Sequence, residues 1–237
     1  MTRRALVTRP QEDCADIAEA LRSRGFEPVI EPMLSIRYLD ADAPSRGPYQ
    51  AVLLTSANGA RALARLVSWR DLPVWTVGEA SAAEARRLGF ITVQAAGGDV
   101  AALAGLVADR LDPKQGKLLH VAATRLAGDL AGLLATFGFS VDKAVLYEAE
   151  AAGDLSPGLI DLISKGGLDL ALFFSPRTAA TFVTLARGRL DPQGLRATAA
   201  LALSPAVAAA LSGLPWRAVK VAAKPSQPAL LGLLDGE

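Results

Sequence analysis

The sequence holds one cysteine, one histidine and two methionines in 237 residues, and its formal net charge is only +1. A lone Cys14 excludes an internal disulfide, and with His120 it cannot assemble the usual zinc sites, so a reducing cytoplasm is the expected setting. With 25 Lys plus Arg against 24 Asp plus Glu there is no basic field to attract duplex nucleic acid. An acidic ligand would therefore have to be held by local groups. Long apolar runs are also missing. The start, MTRRALVTRP, has three apolar residues before Thr8, too few for the core of a signal peptide. The uncharged stretch 197–216 is mostly alanine and is broken by Ser204-Pro205 and Gly213, which predicts a strand, a turn and a short buried helix rather than a membrane span. No G-x-G-x-x-G follows a strand, and neither a Walker A run nor a G-x-S-x-G elbow is present, so nothing suggests a bound nucleotide, dinucleotide or pyridoxal phosphate.

What is present is enough apolar material for a packed core, 51% hydrophobic against 21% charged residues. Short β-type runs alternate with alanine-rich helical stretches, the pattern of α/β units with parallel sheets. Strands are expected at 5–7, 51–54, 74–77, 117–121, 168–174 and 198–203. Each precedes a small or hydroxyl-bearing residue and then a helix. The first helix shows its period in Ile17, Ala20 and Leu21, with Gly25 as its stop. The helix after Ser56 places Ala60, Leu63, Ala64 and Val67 on one face.

An internal repeat organises these elements. Matching Gly25-Phe26 to Gly138-Phe139, at an offset of 113 residues, also pairs Ile17 with Leu130 and Leu21 with Leu134. A second match sets AVLLTSANGARALARL against LALFFSPRTAATFVTL, with Ser56 on Ser175; a weaker third sets Gly78 on Ser204. The units run first, second, third and then first, second, third. Segments rich in Asp, Pro, Gly and Ser at 36–49 and 148–158 read as linkers. Two such linkers fit a middle block, residues 36–148, inserted in a domain made of 1–35 plus 149–237. Two sequential domains cut near residue 113 fit the spacing as well.

Candidate ligand contacts are the strand-end residues Thr8-Arg9, Thr55-Ser56, Thr76 to Gly78, Ser175-Pro176 and Ser204-Pro205. In parallel α/β sheets ligands bind beyond the carboxyl ends of strands, where first helical turns offer free amides and partial positive charge. Helix capping explains any one Ser or Thr there. Five such loops, four of them paired across a repeat, suit a multiply anionic small molecule held by amides and hydroxyls. His120, inside a strand pattern, reads as structural, and Cys14, between Asp13 and Asp16, has no setting that favours a thiolate.

Thr8-Arg9-Pro10, the S-x-x-x-A that begins at Ser56, TVG with Ser81 three residues on, Gly138-Phe139 followed by a V-x-Y strand ending at Tyr147, and FFSPRTA resemble the uroporphyrinogen-III synthase family, in order and over essentially the whole chain. The resemblance implies two Rossmann- or flavodoxin-like parallel-sheet α/β domains, a two-stranded β connection and an active-site cleft between them, which favours the inserted-domain reading. It implies a cytoplasmic, monomeric, cofactor-free and metal-free lyase that closes hydroxymethylbilane to uroporphyrinogen III, inverting the last pyrrole ring and expelling water. The electron-rich pyrroles drive loss of the leaving group, so the protein need supply only a proton donor and positioning. The substrate's eight carboxylates fit the hydroxyl and amide inventory.

By this resemblance Tyr147 is the catalytic residue, its phenol assisting departure of the hydroxyl as water. Thr8, Arg9, Ser56, Gly78, Ser81, Ser175 and Ser204 are the substrate-binding residues. The chain departs from the family pattern in three places. Val207 stands where a hydroxyl is usual, Ala122-Ala123-Thr124-Arg125-Leu126 replaces an arginine-bearing turn, so no role is carried over to Arg125, and Pro176 removes an amide from the Ser175 loop. A non-enzymatic two-domain module binding a small anionic ligand is the alternative from a different class. A nucleotide-using α/β enzyme is a third, without phosphate loops to support it.

Overall fold

The computed structural model describes residues 2–125 and 128–235. The chain divides into two compact units, one formed by 1–35 with 150–237 and the other by 36–149.

In the first unit, strands β1 (Arg3–Val7), β2 (Phe26–Ile30), β9 (Leu170–Phe173), β10 (Ala199–Ala202) and β11 (Ala218–Val221) form a sheet in the order β11-β10-β9-β1-β2. Every neighbouring pair is parallel. Helices α1 (Ala15–Arg22) and α10 (Gln227–Leu231) bury Ile17, Leu21 and Leu230 on one face. Helices α6 (Pro157–Ser164), α7 (Pro176–Ala186), α8 (Pro192–Leu195) and α9 (Pro205–Ala210) cover the other with Ile163, Phe182, Leu195 and Val207. A sheet covered on both faces explains why its central strands are continuous apolar runs, as in LALF and AALA. Gly194 lets α8 lie against α6, since a Cβ there would sit 2.1 Å from the Ile163 carbonyl oxygen. Gly194→Ala is expected to destabilise this unit by about 1–3 kcal/mol, read as a lower urea midpoint at unchanged slope.

The second unit carries β3 (Leu34–Tyr38), β4 (Tyr49–Leu54), β5 (Val74–Thr76), β6 (Val93–Ala95), β7 (Lys117–Ala123) and β8 (Val141–Ala151) in the order β3-β8-β7-β4-β5-β6. From β8 to β6 the pairs are parallel. Helices α2 (Ala57–Leu66) and α3 (Glu79–Arg87) pack Ala60, Leu63 and Ala85 on one face. Helices α4 (Val100–Arg110) and α5 (Leu130–Thr136) pack Leu103, Val107 and Leu134 on the other.

The two sheets share one topology. Strands β2-β1-β9-β10-β11 follow the doubly wound order 2-1-3-4-5, and β8-β7-β4-β5-β6 is the same spatial order begun at a different point of the chain. The repeat therefore describes real equivalents. Ser56 and Ser175 both cap the helix after the central strand, and Gly78 and Ser204 both cap the next one.

The expected linkers begin as strands instead of loops, and β8 runs four residues past Tyr147, to Ala151. Leu39 N–H donates to Leu146 O and Ala152 N–H to Met33 O, so β3 and β8 run antiparallel. This pairing satisfies backbone groups that composition alone assigned to loops. These two strands are where the chain passes from one unit to the other.

Candidate active site

Tyr147 owes its direction to an irregularity in β8. Val121 pairs with Ala144 and Ala122 with Val145, but Ala123 pairs with Tyr147, leaving Leu146 as an extra residue. Strict alternation from Ala144 would turn Leu146 and Glu148 toward α2 and Tyr147 away from it. The bulge shifts the phase, and Leu146 and Tyr147 both join the core beneath α2 and α3. It also keeps Glu148 off that core, where it pairs with Arg37 at 2.5 Å.

The phenol so aimed meets the start of α2. Tyr147 is 5% exposed, and its oxygen lies 2.7 Å from Ser56 Oγ. Ser56, in extended backbone before the helix, also accepts the Gly59 N–H at 3.3 Å. Burial raises the phenol pKa above its ordinary value, and the Ser56 hydrogen bond only partly opposes this. The phenol is therefore protonated at neutral pH, the state a proton donor requires.

Ser175, the repeat equivalent of Ser56, is differently engaged. Its Oγ accepts the Thr178 N–H at 3.1 Å, and Thr178 Oγ1 donates to the Ser175 carbonyl at 2.9 Å. A carbonyl only accepts, so the remaining 3.1 Å contact between the two hydroxyls has Ser175 as donor. Both hydrogens are spent on the cap. Ser204 caps α9 by accepting the Val207 N–H at 3.4 Å and stays half-buried.

Gly78 caps α3 without a side chain, so the first-turn amides of that helix receive no side-chain cap. Ser81 lies buried in that turn. Helices α2 and α3 are tied by Glu84, which receives Arg61 at 2.7 Å and Arg87 at 2.7 Å. The Arg87 hydrogen bond, then that of Arg61, outweigh burial and hold the Glu84 carboxyl at about 2. This tether fixes the Ser56 and Gly78 turns against each other, and no motif in the sequence pointed to it.

In the first unit, Thr8 has no exposed surface and its hydroxyl donates to the Leu172 carbonyl at 2.7 Å. That bond ties β1 to β9 and leaves the side chain no free donor for a ligand. Arg9 lies over the Phe174 ring, 4.8 Å from its centroid, donates to Gln227 Oε1 at 2.8 Å and pairs with Asp13 at 3.4 Å. A hollow of about 820 Å³ elsewhere in this unit, beside Glu31, Ser156 and Arg189, includes none of the expected site residues.

His120 is buried, with its Nε2 unpartnered among the described residues. Burial, reinforced by Lys143, lowers its pKa to about 4. It is a neutral core residue, as its strand position suggested. Cys14 is equally inert, its thiol pushed up to about 11, chiefly by burial. Arg125 is exposed in the turn after β7, and Leu126 lies outside the described residues.

The uroporphyrinogen-III synthase family model matches residues 15–232, nearly the whole chain. The chain belongs to the uroporphyrinogen-III synthase family. Its activity is that of a cofactor-independent cyclising lyase of tetrapyrrole biosynthesis, acting on a small-molecule substrate. Solved structures agree on the fold. The synthetase from Helicobacter pylori superposes with a TM-score of 0.66 at 18% identity, covering 100% of this chain and 99% of that one. A mutant synthase from Thermus thermophilus gives 0.51 at 16% identity, with 100% and 97% covered. No curated protein sequence matches the chain. Among the described residues no helix is long and apolar enough to cross a membrane.

Proposed function

We propose that Tyr147 is the proton donor when this synthase closes hydroxymethylbilane to uroporphyrinogen III. The observation that carries this reading is a buried, protonated phenol fixed 2.7 Å from a helix-capping serine. As the carbon–oxygen bond of the terminal hydroxymethyl group breaks, its electron pair leaves with the oxygen and the phenol proton follows, releasing water. The pyrrole nitrogen feeds electrons to the carbon left behind, so the protein's remaining task is to hold a flexible chain with the correct ring carbon at that cation. The proton lost on ring closure restores the phenol.

For the substrate carboxylates we assign the open amides after Gly78 with Ser81, the Ser175 and Ser204 turns, and Arg9 on its Phe174 platform. Thr8 serves the sheet. Ser175 is left to offer its loop amides, since its hydroxyl is committed to Thr178. We further propose that the protein works as a cytoplasmic monomer; a single cysteine, buried and unpaired, is in keeping with a reducing compartment.

Incubating the chain with hydroxymethylbilane, oxidising and resolving the isomers tests the reaction. Uroporphyrin III is expected in excess over isomer I. Isomer I alone, the product of unassisted closure, would leave only a binding module.

A further inference from the structure

We propose that Ser56 is the positioning residue for Tyr147, holding the phenol proton toward the leaving oxygen and steadying the phenolate once that proton is gone. This goes beyond the carboxylate contact that family resemblance assigns to Ser56, and it rests on Tyr147 being the proton donor.

Counting hydrogens leads to it. Ser56 Oγ already accepts the Gly59 N–H, so the pair has two hydroxyl hydrogens and one contact between them, at 2.7 Å. One hydrogen always remains unused. With Ser56 donating, that hydrogen is the phenol's own, free to move to the departing oxygen. The same Ser56 hydrogen then remains on the phenolate, as a charge-assisted bond stronger than the neutral one it replaces. Because the bond strengthens as charge develops, it acts on the rate more than on substrate binding. Ser56 also caps α2, a helix of ten residues whose amino end carries partial positive charge. The repeat supplies an internal contrast, since Ser175 sits at the equivalent cap with its hydroxyl turned to Thr178 within its own helix. Among the described hydrogen bonds, Ser56 meets the Tyr147 phenol and Ser175 meets Thr178.

Two substitutions separate this role from capping. Glycine is a tolerable helix cap, so Ser56→Gly removes the hydroxyl while leaving α2 largely intact; Ser56→Thr keeps the hydroxyl. In Ser56→Gly, kcat is expected to fall about tenfold or more, the rate equivalent of one hydrogen bond to a charged oxygen, with KM within about twofold of the parent. Its basic limb should move to higher pH, because the Ser56 bond lowers the phenol pKa. Ser56→Thr should restore both. The phenolate absorbance transition that is absent in Tyr147→Phe should also shift upward in Ser56→Gly, a readout that needs no substrate.

A rise in KM with kcat unchanged would make Ser56 a substrate contact and overturn the proposal. So would a phenol transition that does not move in Ser56→Gly. Failure of the underlying reading has a different signature, namely full turnover in Tyr147→Phe.

Discussion

Replacing Tyr147 with phenylalanine is expected to lower turnover by about 100-fold or more while shifting the melting temperature by only about 2–4 °C. The first figure is the usual contribution of a placed general acid. The second follows from what the structure loses, a single hydroxyl contact to Ser56 worth about 1 kcal/mol. The ring itself packs among Leu54, Leu63 and Leu146 beneath α2 and α3, and phenylalanine preserves that packing. The two effects are thus separable in one variant. Turnover is measured as uroporphyrinogen III formed and stability by thermal unfolding. Equal turnover would remove Tyr147 from the mechanism. A large drop in melting temperature would mean that its role is structural.

The second large effect concerns acid. His120 is the only histidine in the sequence, and burial, with Lys143 adding to it, brings its pKa from 6.5 to about 4. Between those values the unfolded chain binds a proton that the folded chain refuses, so stability rises with pH through this window and is lost as pH falls from 6.5 toward 4. The full loss is about 3 kcal/mol. Glu84 follows lower down. Its carboxyl is held at about 2 against an ordinary 4.5, so its contribution is complete above 4.5 and disappears only as pH falls below that. The interval from 6.5 to 4.5 therefore reports mainly on His120. Urea unfolding of the untagged protein at several pH values should show a slope there, and His120→Leu should flatten it without loss of stability at pH 7, since the unpartnered Nε2 disappears with the ring. A single histidine also makes its NMR titration unambiguous. A midpoint near 6.5 would show that the ring is solvated in the native state.

The fold was largely legible because its signals are local and periodic. Ile17 and Leu21 at helical spacing, and LALF and AALA as uninterrupted apolar strands, state which faces are buried wherever the chain is placed. Each of the six expected strands forms. The repeat extended that local reading to topology, because paired loops at Ser56 with Ser175 and Gly78 with Ser204 occupy equivalent caps in two sheets of one order. Strands without a buried apolar run gave no such signal, whereas the three residues Val74–Thr76 are all buried. Val93–Ala95 has three residues, and Glu148–Ala151 lies in a stretch whose polarity reads as loop. That polarity belongs to a strand end whose four residues are half-buried or exposed, although the backbone is paired in the sheet.

Site chemistry was legible as residue type and position, but not as commitment. Thr8, Ser56 and Ser175 look alike in sequence, each a hydroxyl following a strand. The structure spends Thr8 on Leu172, spends Ser175 on Thr178, and sets Ser56 against a phenol. A hint of the last existed in Leu146-Tyr147-Glu148-Ala149-Glu150-Ala151, where two consecutive apolar residues precede a clean alternation, the mark of a phase slip within a strand.

The sequence by itself determined the α/β alternation, the duplicated order of units, the family and the residue types at the strand ends, all of which depend on neighbours along the chain. Only the tertiary structure decided where each hydroxyl hydrogen goes, why the Glu84 carboxyl is held at about 2, and which face of β8 Tyr147 occupies. Those properties depend on atoms brought together from as far as 164 residues apart, and no spacing rule along the chain carries that distance.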